Sequence, residues 1–229
     1  MNALLIHGLS SNPAGMWLFA HTLEADGWST ERVALLGHDR GEPATRYDLE
    51  SYIADAHRDG PHDLVIAHSL GGAIATVLAA RDPAWTRRLV LVDPVWFVPP
   101  HLLPAVAADQ VAELAETADT LAQAHPRWHD HDIAAKADAI SAVDPDAVAR
   151  TFDVERWDLR EHAAAIRTPT LILGGDPAVY TMLEPEDAHA ASVASGTIDY
   201  VVIEGAGHSP HRDAADPTVA ALRAWLAEH

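Results

Sequence analysis

Short apolar runs recur along the chain and alternate with segments that have a helical pattern. Continuous runs of this kind are typical of strands that are covered on both faces of a sheet. The segments between them end at Gly or Pro, as helices do. This alternation predicts βαβ units and a parallel sheet with helices on both faces. The predicted strands are Ala3–Ile6, Thr30–Leu35, Leu64–Ala67, Leu89–Val92, Thr170–Leu173 and Ile198–Ile203, and the predicted helices are Trp17–Ala25, Asp48–Arg58, Leu70–Arg81, Ala188–Ala194 and Pro217–Ala227.

One long segment interrupts the alternation. Between Trp96 and about Arg167 the sequence has no convincing strand pattern and is rich in alanine. An ordinary pair of helices on a sheet face is one explanation, but the segment is much longer than usual βα connections. We therefore predict a helical cap at residues 96–167, inserted into a core formed by residues 1–95 and 168–229. The predicted cap helices are Leu102–Gln123, Ile133–Ala142, Ala147–Thr151 and Glu155–Ile166.

Composition and charge restrict the class of protein. The chain has 229 residues, and 48% of them are hydrophobic, which is enough for one well-buried core. Its formal net charge of −19 opposes binding to nucleic acid or anionic lipid. The absence of cysteine excludes disulfides, thiolate zinc sites and a cysteine nucleophile. Without a signal-peptide pattern or an apolar run of the ~20 residues that span a bilayer, we expect a cytoplasmic monomer or homodimer.

The third predicted strand ends in a sequence that can display a nucleophile. Ser69 follows Leu64-Val-Ile-Ala-His68 at the carboxyl end of a strand, where parallel sheets bind ligands. A sharp strand-to-helix turn would expose its Oγ and bring the residues two before and two after it close to the neighbouring strand. Ala67 and Gly71 are small enough for this turn. We predict that Ser69 is a catalytic nucleophile.

Two backbone N–H groups are candidates for an oxyanion hole. The helix that begins at Leu70 has unpaired N–H groups and a positive dipole end next to Ser69. The second donor should come from the loop after the first strand, where Gly8 allows close approach and Leu9 supplies the N–H. Ser10 either adds a hydrogen bond near the oxyanion or caps the helix that follows.

A serine nucleophile needs a base and an acid. His208 lies in Glu204-Gly-Ala-Gly-His-Ser209 after the last strand, in a loop that can reach back to Ser69. A carboxylate must then fix the imidazole tautomer and stabilise its cation. We choose Asp176, which follows Leu171-Ile-Leu-Gly-Gly175, and keep Asp93 as the alternative acid because it also ends a strand.

Together these loops resemble the α/β-hydrolase superfamily, in its esterase, thioesterase and lipase-like branch. The resemblance covers nearly the whole chain and keeps the order Ser, acid, His, although Ala67 replaces the first glycine of the nucleophile elbow. It implies an α/β-hydrolase fold with a mostly parallel sheet of about six strands, the family's first two strands being absent. The motifs that carry it are Ile6-His-Gly-Leu-Ser10, Leu36-Gly-His-Asp-Arg-Gly41, Ala67-His-Ser-Leu-Gly71, Leu171-Ile-Leu-Gly-Gly-Asp176 and Gly205-Ala-Gly-His208.

Further residues are candidates for the substrate pocket. His68 precedes the nucleophile and should line the pocket or pack behind it. Tryptophans near the predicted cap suggest an apolar or aromatic substrate in a covered pocket. The pocket candidates are Ser10, His68, Trp17, Trp96 and Trp128.

One short stretch of the predicted cap carries residue types that bind metals. His129, Asp130, His131 and Asp132 offer suitable ligand atoms in one short stretch. No further ligand stands at a defined spacing from them, so we read the stretch as a solvated loop and predict no metal.

These observations predict a serine hydrolase that needs no cofactor. It should cleave a carboxylic ester or thioester of a small or medium, apolar or aromatic small molecule through an acyl-enzyme intermediate. Fold does not determine chemistry, so hydroxynitrile lyase, C–C bond hydrolase, cofactor-free oxygenase and perhydrolase activities remain alternatives. A non-catalytic ligand-binding protein on the same scaffold is a further alternative.

Overall fold

A six-stranded parallel sheet organises the molecule. The computed structural model of the chain describes residues 1–38 and 43–229, so the end of the Leu36–Gly41 motif lies outside the described residues. The strand order is β2-β1-β3-β4-β7-β8, and every neighbouring pair is parallel. The predicted sheet is confirmed, with boundaries close to those expected. The strands are β1 (Asn2–Ile6), β2 (Ser29–Val33), β3 (Leu64–His68), β4 (Leu89–Val92), β7 (Thr170–Gly174) and β8 (Ile198–Val202), with β5 (Phe97–Val98) and β6 (Trp157–Asp158) in a separate pair.

Burial explains which strands were easy to recognise. Every residue of β3, β4 and β7 is buried, in keeping with their continuous apolar runs. The edge strands β2 and β8 carry exposed and polar positions, so their sequence pattern is only partly apolar.

Helices cover both faces of the sheet. The helices are α1 (Trp17–Ala25), α2 (Leu49–Ala56), α3 (Leu70–Arg81), α4 (Leu103–Ala112), α5 (Ala118–Ala124), α6 (Asp130–Ala142), α7 (Pro145–Thr151), α8 (Arg160–Ala165), α9 (Pro185–Ser195), α10 (Pro210–Asp213) and α11 (Ala215–Glu228), with 3₁₀ turns at Pro13–Met16 and Glu113–Ala115. Alternate side chains of β1 point to opposite cores: Leu4 and Ile6 pack with α2, α3, α8 and α9, whereas Ala3 and Leu5 pack with α1 and α11. Within the described residues, no helix has the length and apolar character needed to cross a membrane.

The segment between β4 and β7 differs from its prediction in two places. The single helix expected over Leu102–Gln123 is interrupted after α4, because Thr117 and Thr120 form a capping box that starts α5 afresh. The helix expected over Glu155–Ile166 begins only at Arg160, since β6 pairs with β5 in an antiparallel ladder. The prediction of a segment without strands is therefore wrong at β5 and β6. Its last helix, α8, packs against α3 and α9 on one face of the sheet.

Candidate active site

Ser69 stands on a sharp turn between β3 and α3. Its φ of 54° lies in the left-handed region, and its N–H donates to the carbonyl of Val92 on the neighbouring strand (3.0 Å). A Cβ added at Gly71 would lie 2.5 Å from the His7 oxygen and 2.6 Å from the Ile6 oxygen on β1. Glycine is thus required at this position because the turn presses the start of α3 against the first strand.

His208 follows the edge strand β8, and its loop brings it to Ser69. The loop after β8 carries the imidazole so that its Nε2 lies 2.9 Å from the Ser69 Oγ. Its Nδ1 lies 2.5 Å from the Asp93 Oδ2. A serine, an imidazole and a carboxylate are therefore joined by consecutive hydrogen bonds, the arrangement that activates a serine hydroxyl.

The structure corrects the choice of acid. Asp93, the alternative, contacts His208, whereas the preferred Asp176 uses its two oxygens to accept the N–H groups of Ala178 and Gly205 (both 2.8 Å). Asp93 follows β4, which lies directly beside β3, and its side chain is fully buried. Its carboxylate also accepts three further hydrogen bonds, from Gly175 N (3.0 Å), Thr181 Oγ1 (2.5 Å) and Met182 N (2.9 Å).

Asp176 instead connects two loops at this edge of the sheet. The bond from the Gly205 N–H is the main reason that its pKa lies below the ordinary value. Its own N–H donates to the Ala206 carbonyl (2.8 Å). These contacts fasten the loop after β7 to the loop that delivers His208.

The two predicted oxyanion donors are free to bind a ligand. Within residues 1–38 and 43–229, neither the Leu9 N–H nor the Leu70 N–H makes a hydrogen bond, and both residues line the cavity above Ser69. A Cβ added at Gly8 would lie 2.9 Å from the Ser69 Cβ and 3.0 Å from the His68 Nδ1. The absence of a side chain at Gly8 is what lets this loop approach the nucleophile.

His7 fixes the same loop, a role that the sequence analysis did not assign. Its Nε2 accepts the Leu35 N–H (3.2 Å), so its Nδ1–H donates to the Gly8 carbonyl (2.8 Å). Complete burial lowers the pKa of His7 to about 3, and the ring is neutral at pH 7. The signal available in the sequence was a histidine directly after an apolar strand and before a glycine.

A cavity of about 490 Å³ lies above the nucleophile. Its floor includes Ser69 and the predicted pocket residue His68, whose Nε2 lies 2.9 Å from the His208 carbonyl oxygen. Its apolar wall comes from the segment between β4 and β7. The wall residues include Val95, Val106, Leu121, Trp128 and Phe152.

Only one of the three predicted pocket tryptophans lines this cavity. Trp128 does so and donates from its Nε1 to Asp213 (2.7 Å). Trp96 is fully buried in the core, where its Nε1 donates to Thr76 (2.9 Å). Trp17 binds Asp132 of α6 through its Nε1 (2.8 Å). The predictions for Trp17 and Trp96 are therefore wrong, because both indoles serve packing between elements.

Buried charges that the sequence did not suggest lie next to the loop of Leu9. The Lys136 ammonium on α6 contacts the Glu113 carboxylate (2.7 Å) and donates to the Ser10 hydroxyl (2.8 Å) and carbonyl (3.2 Å). The Ser10 hydroxyl in turn donates to Glu113 (3.0 Å). Ser10 thus connects the loop of Leu9 to the helices above it. The helical turn that follows is capped by Asn12 instead.

The stretch considered as a metal site forms the start of α6. The His129 Nδ1 accepts the His131 N–H (3.0 Å), and Asp132 accepts the Trp17 indole N–H. Among the residues that the structure describes, no cluster of three or more His, Asp or Glu side chains could hold a metal ion.

Comparison with known proteins gives a consistent result. The sequence model of a family described as "Alpha/beta hydrolase family" matches residues 3–221. N-formylmaleamate deformylase from Pseudomonas putida is 27% identical, over 97% of this chain and 87% of that protein. The crystal structure of E-2-(acetamidomethylene)succinate hydrolase has a TM-score of 0.81 at 22% identity and covers 99% of this chain and 92% of its own. A malate-bound esterase from Thermogutta terrifontis has a TM-score of 0.76 at 21% identity and covers 100% of this chain and 90% of its own.

Proposed function

The chain belongs to the alpha/beta hydrolase family, and from this premise we propose that it is a serine hydrolase that cleaves a carboxylic ester or thioester. The observation that carries the proposal is the hydrogen-bonded series Ser69–His208–Asp93 at the floor of a cavity. Ser69 is the nucleophile, His208 the base and Asp93 the acid. The cavity volume of about 490 Å³ fits a small or medium substrate.

The reaction proceeds in two acyl-transfer steps. The Ser69 Oγ attacks the substrate carbonyl while the His208 Nε2 takes the hydroxyl proton. The N–H groups of Leu9 and Leu70 bind the oxyanion that forms, and Asp93 stabilises the imidazolium. His208 then returns the proton to the departing alcohol or thiol, leaving an acyl-Ser69 ester. A water molecule, deprotonated by His208, releases the acid and restores Ser69.

An amide is the second candidate substrate. The observation in its favour is the relative named N-formylmaleamate deformylase, which is 27% identical across 97% of this chain. The same residues serve this reaction if His208 protonates the departing nitrogen. An N-formyl or N-acetyl amide therefore belongs in any substrate panel.

Labelling and mutation of Ser69 test the proposal. We expect a fluorophosphonate probe to modify Ser69, and Ser69→Ala to lower hydrolysis of p-nitrophenyl esters by at least about a thousandfold. Ser141→Ala is the control, because its hydroxyl contacts only a backbone carbonyl of its own helix among the described residues. Hydrolysis by the Ser69→Ala protein at the parent rate would refute the proposal.

A further inference from the structure

Arg212 places a buried positive charge on the wall of the cavity. The residue lies on α10, four positions after His208, and only 5% of its surface is exposed. It lines the same cavity as Ser69. Its guanidinium carbon lies 5.0 Å from the ring centre of Trp128, another residue of the cavity wall.

The guanidinium has more donors than partners. Among the described residues, its one hydrogen bond runs from Nη2 to the Ser11 hydroxyl (3.2 Å), and its buried Nε has no hydrogen-bond partner. Asp132 lies 3.9 Å from that Nε, which is an ion pair without a hydrogen bond. A guanidinium carries five N–H donors, and leaving them unpaired in a buried site costs free energy.

The other cations of the cavity wall, and the carboxylate of Asp213, are already bonded within the protein. Lys136 contacts Glu113 and Ser10. The two Asp213 oxygens accept the Trp128 indole N–H (2.7 Å) and the Gly207 N–H (2.8 Å). Arg127 is exposed and donates to the Gly205 carbonyl (2.8 Å). Arg212 is therefore the buried cation of this cavity wall that retains donors for a ligand.

We propose that Arg212 binds a carboxylate of the substrate, so that the enzyme hydrolyses acyl derivatives that carry a second, ionised carboxyl group. This inference rests on the proposed function and specifies its substrate class. A planar carboxylate matches the geometry of the guanidinium fork and can accept two N–H groups at once. The apolar wall then covers the carbon chain between that carboxylate and the scissile carbonyl.

The protein's net charge makes a local cation necessary. At −19, the molecule repels an anion at long range. A charge pair in a partly closed cavity is screened less than one at the surface. An anionic substrate would therefore depend on Arg212 for its affinity more than on the overall field.

Matched pairs of esters test the proposal. The probes are mono-p-nitrophenyl esters of dicarboxylic acids of graded length, each compared with the p-nitrophenyl ester of the monocarboxylic acid of equal carbon number, with the Ser69→Ala protein as blank. At the best length we expect kcat/KM to favour the acid ester by about tenfold or more. A preference for the neutral ester at every length would overturn the proposal.

Substitution of Arg212 should act on one member of each pair. Arg212→Met should raise KM for the acid ester about 10- to 100-fold and change the constants for the neutral ester less than about threefold. Arg212→Lys should recover part of the preference, and Arg223→Met, which removes a surface arginine paired with Asp26 outside the cavity, should leave it intact. An equal loss for both esters in Arg212→Met would assign Arg212 a structural role and overturn the proposal.

Two further measurements do not depend on the folding of Arg212→Met. Asp132→Asn removes the carboxylate that pairs with the Arg212 guanidinium and partly neutralises its charge. This variant should therefore show a larger preference for acid esters, and an unchanged or smaller preference counts against the proposal. Calorimetry on the Ser69→Ala protein should show tighter binding of adipate than of neutral adipamide. This measurement does not require catalysis, so it tests carboxylate binding by Arg212 separately from the hydrolase proposal. Equal binding of adipate and adipamide would overturn the role of Arg212 and leave the hydrolase proposal unaffected.

Discussion

The Asp93 carboxylate is fully committed to contacts inside the protein. One oxygen accepts from Gly175 and Thr181, and the other accepts from Met182 and His208. The residue itself adopts a φ of 42°, a left-handed conformation that is unusual for a non-glycine residue. The surrounding donors hold this conformation and aim the carboxylate at the His208 Nδ1.

Exchanging the two candidate acids for their amides separates their roles. We expect Asp93→Asn to lower kcat about 10³- to 10⁴-fold, because an amide cannot stabilise the imidazolium and favours the wrong tautomer. Asp176→Asn should lower kcat less than about tenfold, since the Asp176 carboxylate accepts only backbone N–H groups among the described residues. Ester hydrolysis by both variants measures this; a larger loss in Asp176→Asn would contradict the geometry.

At Gly8 a single added carbon atom would disturb the active site. A methyl group there would meet the Ser69 Cβ at 2.9 Å, a distance that forces either the nucleophile or the loop to move. We expect Gly8→Ala to lower kcat about 100-fold while the protein remains folded, because one oxyanion donor is displaced. Circular dichroism and ester hydrolysis together check this, and normal kcat in a folded variant would place the oxyanion site elsewhere.

At this scale, sequence reasoning predicted the pair Ser69 and His208, which the structure brings into contact, but preferred Asp176 where the structure places Asp93 against the imidazole. Ser69 and His208 stand in motifs whose small neighbours have a steric purpose. Asp93 and Asp176 both end buried strands, and β4 and β7 are adjacent, so both carboxylates come to the same edge of the sheet. Local sequence contains no information on which of them the His208 loop meets.

A cluster of charged and polar side chains connects the helices above the cavity to the loop of Leu9. Lys136 on α6, Glu113 in the 3₁₀ turn and Ser10 after β1 contact one another. Ser10 has a φ of 49°, so the loop needs these contacts to hold its conformation. The cluster thus couples the position of α6 to the donor at Leu9.

Breaking the Lys136–Glu113 pair should weaken both stability and catalysis. We expect Lys136→Met to cost about 2 kcal/mol of unfolding free energy and about tenfold in kcat, because the Glu113 carboxylate loses its cation and the loop its anchor. The expected loss of stability is modest because the Glu113 side chain is 34% exposed and solvent screens its charge. Urea denaturation of Lys136→Met, Glu113→Gln and the double variant checks the coupling. The double variant should lose less unfolding free energy than the sum of the losses in the two single variants. A loss equal to that sum would show that the pair is not coupled.

The prediction was accurate for strands that are buried on both faces of the sheet. It was poor where individual side-chain hydrogen bonds begin or interrupt an element. The central strands had continuous apolar runs and matched within one residue. Between β4 and β7, a Thr117 capping box divides one predicted helix, and β6 forms where Trp157 donates its indole N–H to the Val95 carbonyl (2.8 Å). Alanine-rich sequence favours helix throughout this region and hides such interruptions.

The molecule as a whole should be sensitive to mild acid. Four histidines are buried as neutral rings, and burial lowers the pKa of His7 to about 3, that of His38 to about 4, and those of His68 and His211 well below the ordinary value. The unfolded chain takes up these protons below pH ~6.5 and the folded chain does not. Folding therefore loses stability as pH falls through this range, by about 1.4 kcal/mol per pH unit for each histidine.

Urea denaturation at pH 7.5 and pH 5.0 checks this expectation, with a lower midpoint at pH 5.0. His211→Leu provides a matched comparison, since neither ring nitrogen of His211 has a hydrogen-bond partner among the described residues. The variant should keep its stability at pH 7.5 and lose less of it at pH 5.0 than the parent. An equal loss in both proteins would show that His211 is not among the groups responsible.

The neighbouring positions of β4 and β7 have a consequence for how such a scaffold diversifies. The two strands are paired, although residues 93–169 separate them. The main chain thus departs from the sheet and rejoins it within one strand spacing, about 5 Å. A variant of this scaffold that keeps Asp93 and the Lys136–Glu113 pair can lengthen or replace other parts of the intervening segment without moving Ser69 or His208. The range of substrates can therefore change while the catalytic chemistry stays the same.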